Sequence, residues 1–85
     1  MSSVAELPSS VAELIPLTLL RPGQSGMVDQ VLGTGDLVHR LREMGLRRGA
    51  MVEMIRPGSP CMIRLDGHTL GIRSAELSGI LVRPA

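Results

Sequence analysis

One short helix, spelled out between Asp36 and Gly45, decides most of what this chain can become. Asp36 is a suitable N-cap, because its carboxylate can accept the free amide hydrogens of a first helical turn. Leu37, Leu41 and Met44 follow at i, i+4 and i+7 and share one face. His39, Arg40, Arg42 and Glu43 point the other way or lie on the flanks. Gly45 stands where a left-handed residue ends a helix without steric cost, and Leu46 is then the residue that packs back on Leu41 in a Schellman ending. About two and a half turns of helix do not persist alone in water. The helix must lie on something, and the flanking sequence offers strands and turns.

Those strands are short and regularly punctuated. Leu17–Leu20 is an apolar run closed by the turn Arg21-Pro22-Gly23. Ser25–Leu32 reads as a second strand with Val28 and Val31 inward, and Gly33-Thr34-Gly35 breaks it before the helix. After Gly49, Ala50–Arg56 forms a third strand in which Val52 and Met54 alternate with Glu53. Pro57–Pro60 is a rigid loop. Cys61, Ile63 and Leu65 then occupy one side of a fourth strand, with Arg64 on the other. Asp66-Gly67 is a strong two-residue hairpin signal, since both central positions of a type I′ turn need positive φ. The chain returns through His68–Arg73 with Leu70 and Ile72 inward. Ser74 caps one turn through Leu77, Gly79 ends it, and Ile80–Val82 closes the sheet. Such spacing predicts a mainly β fold, a small barrel with one short helix between its second and third strands. Closing a barrel would also hide the sheet edges.

The chain has 85 residues, enough for one domain with one small core. Residues 17–85 supply it; residues 1–16 read as a loose N-terminal tail. That tail holds a direct repeat, Ser2-Ser-Val-Ala-Glu-Leu7 and Ser9-Ser-Val-Ala-Glu-Leu14. Phe, Tyr and Trp are absent, so the core must be aliphatic. A net charge of +1 exerts no general pull toward nucleic acid or membrane. Without aromatic platforms the chain cannot stack single-stranded bases or grip proline-rich peptides as SH3 domains do. The single Cys cannot form an internal disulfide, which points to a reducing, cytoplasmic setting. No apolar run approaches ~18 residues, so nothing inserts directly in a membrane, and no signal peptide is expected.

From Leu17 to Val82 the chain carries the series Leu17-x-x-Leu20-x-x-Gly23, then Gly26-x-Val28-x-x-Val31, then Arg40-Leu-x-x-Met-Gly-Leu46-x-x-Gly49. Gly58-x-Pro60, Asp66-Gly67, Leu70-x-Ile72-Arg73, Glu76 and Ile80-x-Val82 complete it. In order and spacing these residues resemble the FeoA family of bacterial ferrous iron uptake proteins. Arg48 stands where the family often has Pro, and Ser59 where it often has Asp; neither is a core position. The resemblance implies an SH3-like barrel and a non-enzymatic accessory role. It further implies protein–protein contact with the cytoplasmic part of the FeoB membrane GTPase transporter. A similar barrel ends the iron-dependent repressors, so a free-standing metal-sensing or regulatory domain is the alternative.

Candidate residues fall into four groups. Arg40, Arg42, Arg47 and Arg48, with Glu43 among them, gather at the helix end. They suit the negative end of the helix dipole, and they also suit an acidic protein partner. Gly45, Gly49, Asp66 and Gly67 are expected to be structural turn residues. His39 and Glu43, four apart on the exposed helix face, could share a metal, with His68 from the hairpin or a second molecule; two ligands are too few for a tight site. No bound metal or cofactor is therefore expected, and at most a weak, metal-bridged homo-oligomer. Cys61, beside Pro60 on a strand, is read as a small buried hydrophobe. Catalysis has no footing: no nucleophile has a base beside it, and Gly33-Thr34-Gly35 lacks the rest of a phosphate loop.

Overall fold

The computed structural model describes residues 14–85 of the chain. Its strands are β1 (Ile15–Pro16), β2 (Ser25–Val31), β3 (Met51–Arg56), β4 (Cys61–Leu65), β5 (His68–Ile72) and β6 (Ile80–Pro84). Helix α1 (Gly35–Glu43) lies between β2 and β3, and a single-turn helix α2 (Ser74–Leu77) between β5 and β6. The strands form one antiparallel sheet in the order β1-β6-β2-β3-β4-β5. Register shifts at Asp29 in β2 and Ile55 in β3 bend the sheet around its core. Among the described residues no ladder joins β1 to β5. β1 has only two residues, one of them a proline without an N–H, so it cannot extend the pairing. The sheet therefore wraps the core in SH3-like fashion without closing its last seam.

Alternation decides what goes inside. Val28, Val52, Met54, Cys61, Ile63, Leu65, Ile72, Ile80 and Val82 point inward from the sheet and are buried, while Arg64 stays exposed. Leu41 from α1, Leu77 from α2 and Leu46 cover this face. Each such leucine removes apolar surface worth roughly 1.5–3 kcal/mol, so the short helix is held by packing rather than by propensity. The core is wholly aliphatic and sulfur-bearing, with no buried polar or charged residue among those described.

Several expectations need correction. Leu17–Leu20 is not a strand: Leu17–Leu19 form a 3-10 turn, with the Leu20 amide donating to the Leu17 carbonyl at 3.1 Å. An i, i+3 spacing in a 3-10 turn puts Leu17 and Leu20 on one side, and both are buried while Leu19 is exposed. A strand would have sent Leu17 and Leu19 inward together. The sheet instead starts at Ile15, inside the stretch read as tail.

At the helix, the N-cap is Thr34, not Asp36. Its hydroxyl accepts from the Leu37 amide at 3.3 Å, and the helix begins at Gly35, two residues earlier than an Asp36 cap would give. Asp36 sits in the first turn, where its charge still suits the dipole. Met44 does not complete the apolar face; it is the C-cap and is exposed. Gly45, at φ +99°, turns the chain so that Leu46 is buried in its place. Ser74 opens α2 as a helical residue, following an Arg73 cap without a side-chain bond. Gly79 serves by closeness rather than handedness: a Cβ there would collide with the Leu32 carbonyl oxygen.

Candidate functional site

The end of α1 is built from backbone bonds. The Gly45 amide donates to the Arg42 carbonyl at 3.0 Å and the Leu46 amide to the Leu41 carbonyl at 2.9 Å, which is the Schellman pair. The next turn is closed by the Ala50 amide on the Arg47 carbonyl at 3.0 Å. Two bonds then pin it to β2: the Gly49 amide to the Val28 carbonyl, and the Val28 amide to the Ala50 carbonyl, each at 2.8 Å. Gly49, at φ +93°, makes that approach possible. Arg47 and Arg48 thus stand on a loop fastened to α1 at one end and to the sheet at the other.

Arg42, Arg47 and Arg48 meet at one cleft of about 160 Å³, lined also by Val31, Val38, Leu46 and Asp29. Arg47 and Arg48 also line a neighbouring hollow of about 350 Å³ with Gly45, Gly49, Ala50, Met51 and Asp66. Asp66 (φ 53°) and Gly67 (φ 79°) both take positive φ in the turn that joins β4 to β5. Among the described residues, Arg42, Arg47 and Arg48 have no carboxylate within ion-pair distance. The one acidic lining residue of the cleft, Asp29, is paired with Arg83 at 3.6 Å. The cleft therefore offers guanidinium donors over aliphatic surface.

The other candidates are placed elsewhere. Arg40 turns toward Glu76 at 3.6 Å, which Arg73 also approaches at 3.6 Å. Glu43 pairs with His39 at 3.0 Å on the open side of α1, both side chains well exposed. His68 opens β5 opposite Leu65 and is exposed. Among the described residues no three His, Cys, Asp or Glu side chains converge as a metal site. Cys61 is buried, its Sγ 3.6 Å from Met54 Sδ, and burial pushes its thiol up from the usual value of 9.0. A protonated thiol in an apolar setting is a poor nucleophile.

Val38 and Asp29 carry no sequence signal for the cleft. Val31 packs against the core, as the strand pattern predicts, and also lines the cleft. The register shift at Asp29 brings both Asp29 and Val31 to the cleft, and no residue pattern announces such a shift.

Fold and surface together define a small SH3-like β domain with an arginine-lined cleft. Among its described residues, no Ser, Thr or Cys side chain bonds a His or a carboxylate. No helix among them is long and apolar enough to cross a membrane. The model of the FeoA domain matches residues 15–84, and the chain belongs to the FeoA family. It is similar to the crystal structure of an iron uptake regulatory protein, FeoA, at 27% identity and a TM-score of 0.81, over 86% of this chain and 100% of that one. Stenotrophomonas maltophilia FeoA complexed with zinc is 25% identical, with a TM-score of 0.70 over 81% of this chain and 93% of that one. That relative is described as a prokaryotic SH3 domain protein possibly acting as a ferrous iron transport activating factor. A manganese-dependent transcriptional repressor shares the fold alone, at 14% identity and a TM-score of 0.78, over 85% of this chain and 41% of the repressor. No curated protein matches the sequence.

Proposed function

We propose that this protein is a non-enzymatic accessory of bacterial ferrous iron uptake. It acts by docking its Arg42, Arg47 and Arg48 edge on the cytoplasmic part of a FeoB-type membrane GTPase transporter. The observation that carries this reading is the cleft: three guanidinium groups without an ion pair among the described residues, two of them on a hydrogen-bonded loop. A rigid donor surface loses little freedom on binding, and each guanidinium can make forked bonds to a carboxylate. Val31, Val38 and Leu46 add aliphatic surface beside those donors, so the segment it fits carries acidic and aliphatic side chains together. Membership of the FeoA family and the description of the S. maltophilia relative support the iron transport setting.

The test is affinity for the transporter's cytoplasmic part, compared between wild type and an Arg42→Glu, Arg47→Glu double variant. Circular dichroism serves as the folding control. Losing two charge contacts is expected to weaken binding by tenfold or more, since about 1.4 kcal/mol already gives tenfold. Wild-type affinity should also fall as salt rises, because exposed charges are screened beyond ~8–10 Å. Arg40→Ala, at a residue engaged with Glu76, should change affinity by no more than about twofold. A folded double variant that binds as tightly as wild type would place the docking surface elsewhere.

A further inference from the structure

We propose that the chain carries its own occupant for the arginine cleft: the first copy of its N-terminal repeat, anchored by Glu6. Residues 1–20 contain two charged side chains, Glu6 and Glu13, and no Arg, Lys or His. Each glutamate lies in the same setting, Val-Ala-Glu-Leu, a carboxylate flanked by aliphatic side chains. That is the complement of a cleft whose lining is Arg42, Arg47 and Arg48 beside Val31, Val38 and Leu46.

Reach chooses between the two copies. Ile15 is fixed opposite Val82 in β6, and the cleft's Asp29 and Val31 belong to β2, one strand further on. Two strand spacings are about 10 Å. Followed back from Pro16 to Ile15, the chain runs from Leu81 to Val82, away from Ile80 and its partner Val31, and the two residues to Glu13 are too few for the four-residue turn that would bring it back. From Ile15 back to Glu6 the chain can extend about 30 Å, enough to cross β6 and still bend into the cleft. A short tether holds its end at an effective concentration in the millimolar range. Even a contact of millimolar affinity is then about half occupied.

Such a tail would compete with any acidic partner for the same three arginines. The inference rests on the cleft also invoked for docking, but not on the transporter. Its test contains no partner, so its failure leaves the docking reading standing, and failure of the docking test leaves this one.

The experiment uses the full chain with Ser3→Cys carrying a nitroxide, the buried Cys61 being left unmodified under native conditions. Amide relaxation is read by NMR at Arg47, Arg48 and Val31, with Thr69 on the distant β5 as reference. At low salt the cleft amides should relax severalfold faster than Thr69. Added salt or Glu6→Gln should remove most of that difference, and Glu13→Gln should leave it in place. Equal relaxation at the cleft and at Thr69 would overturn the proposal. So would insensitivity to Glu6→Gln, or loss on Glu13→Gln instead. A mixture of spin-labelled unenriched chain with enriched unlabelled chain separates the remaining case. Enhancement that appears undiminished in that mixture belongs to a second copy and excludes the intramolecular contact.

Discussion

Replacing Gly45 probes the helix end with two separable costs. At φ +99° any residue with a Cβ is strained, by roughly 1–2 kcal/mol for alanine. The new Cβ would also stand 3.0 Å from Leu65 Cδ2, and Leu65 is itself buried at the start of the β4–β5 turn. Pressing against a packed side chain adds about 1 kcal/mol, at the low end of overpacking because only the tip of Leu65 must move. Gly49 isolates the first cost: its φ is +93°, yet nothing lies within 4 Å of a Cβ built there. Gly49→Ala should therefore lose roughly 1–2 kcal/mol and Gly45→Ala about 2–3 kcal/mol, with the same small relief from a stiffer unfolded chain in both. In a domain this size each kcal/mol lowers the midpoint by about 4–8 °C. Gly45→Ala should thus melt about 4–8 °C below Gly49→Ala, and Gly45→Val lower still. Thermal unfolding followed by far-ultraviolet circular dichroism measures both. If Gly49→Ala falls as far as Gly45→Ala, the Leu65 contact carries no weight. If Gly45→Ala melts with wild type, the Schellman ending is not what holds α1 in place.

Two further outcomes follow from the same geometry. Thr34→Ala should cost about 1 kcal/mol through loss of the bond to the Leu37 amide, while Asp36→Asn should cost only a few tenths, since Asp36 contributes through the dipole alone; urea unfolding of the two variants ranks them. Cys61 holds its proton more tightly folded than unfolded, because burial disfavours the thiolate. Its contribution to stability is full below the unfolded value of 9.0 and is lost as pH rises from there through the folded value, so wild type should lose stability in that alkaline window more steeply than Cys61→Ala.

The legible parts of the fold were those governed by one or two neighbouring residues. Asp66-Gly67 fixes a turn because both positions need positive φ, and Met44-Gly45-Leu46 ends a helix by the same local rule. Alternation in Cys61–Leu65 needed only period two, and the burial of those residues follows it. What stayed hidden depended on partners far along the chain. Leu17–Leu20 reads as strand by composition, but the core called for Leu17 and Leu20 together and turned the run into a 3-10 turn. Thr34 and Asp36 are both good caps, and which one serves depends on where β2 releases the chain. The cleft was half visible. Its arginines cluster in sequence, whereas Asp29 and Val31 join them through a register shift between β2 and β6 that composition does not encode. For the same reason Arg40 and Glu43, adjacent to the cluster in sequence, proved to be engaged elsewhere, with Glu76 and His39.

The wholly aliphatic core has an optical consequence. With no Phe, Tyr or Trp anywhere in the chain, the protein is nearly transparent in the near ultraviolet and has no intrinsic fluorescence of its own. Any aromatic signal recorded on mixing it with a partner then belongs entirely to the partner. One tryptophan placed at the exposed Leu19 would, conversely, be the sole emitter in the molecule. That darkness makes the chain an unusually clean silent component for following the partner's side of an encounter.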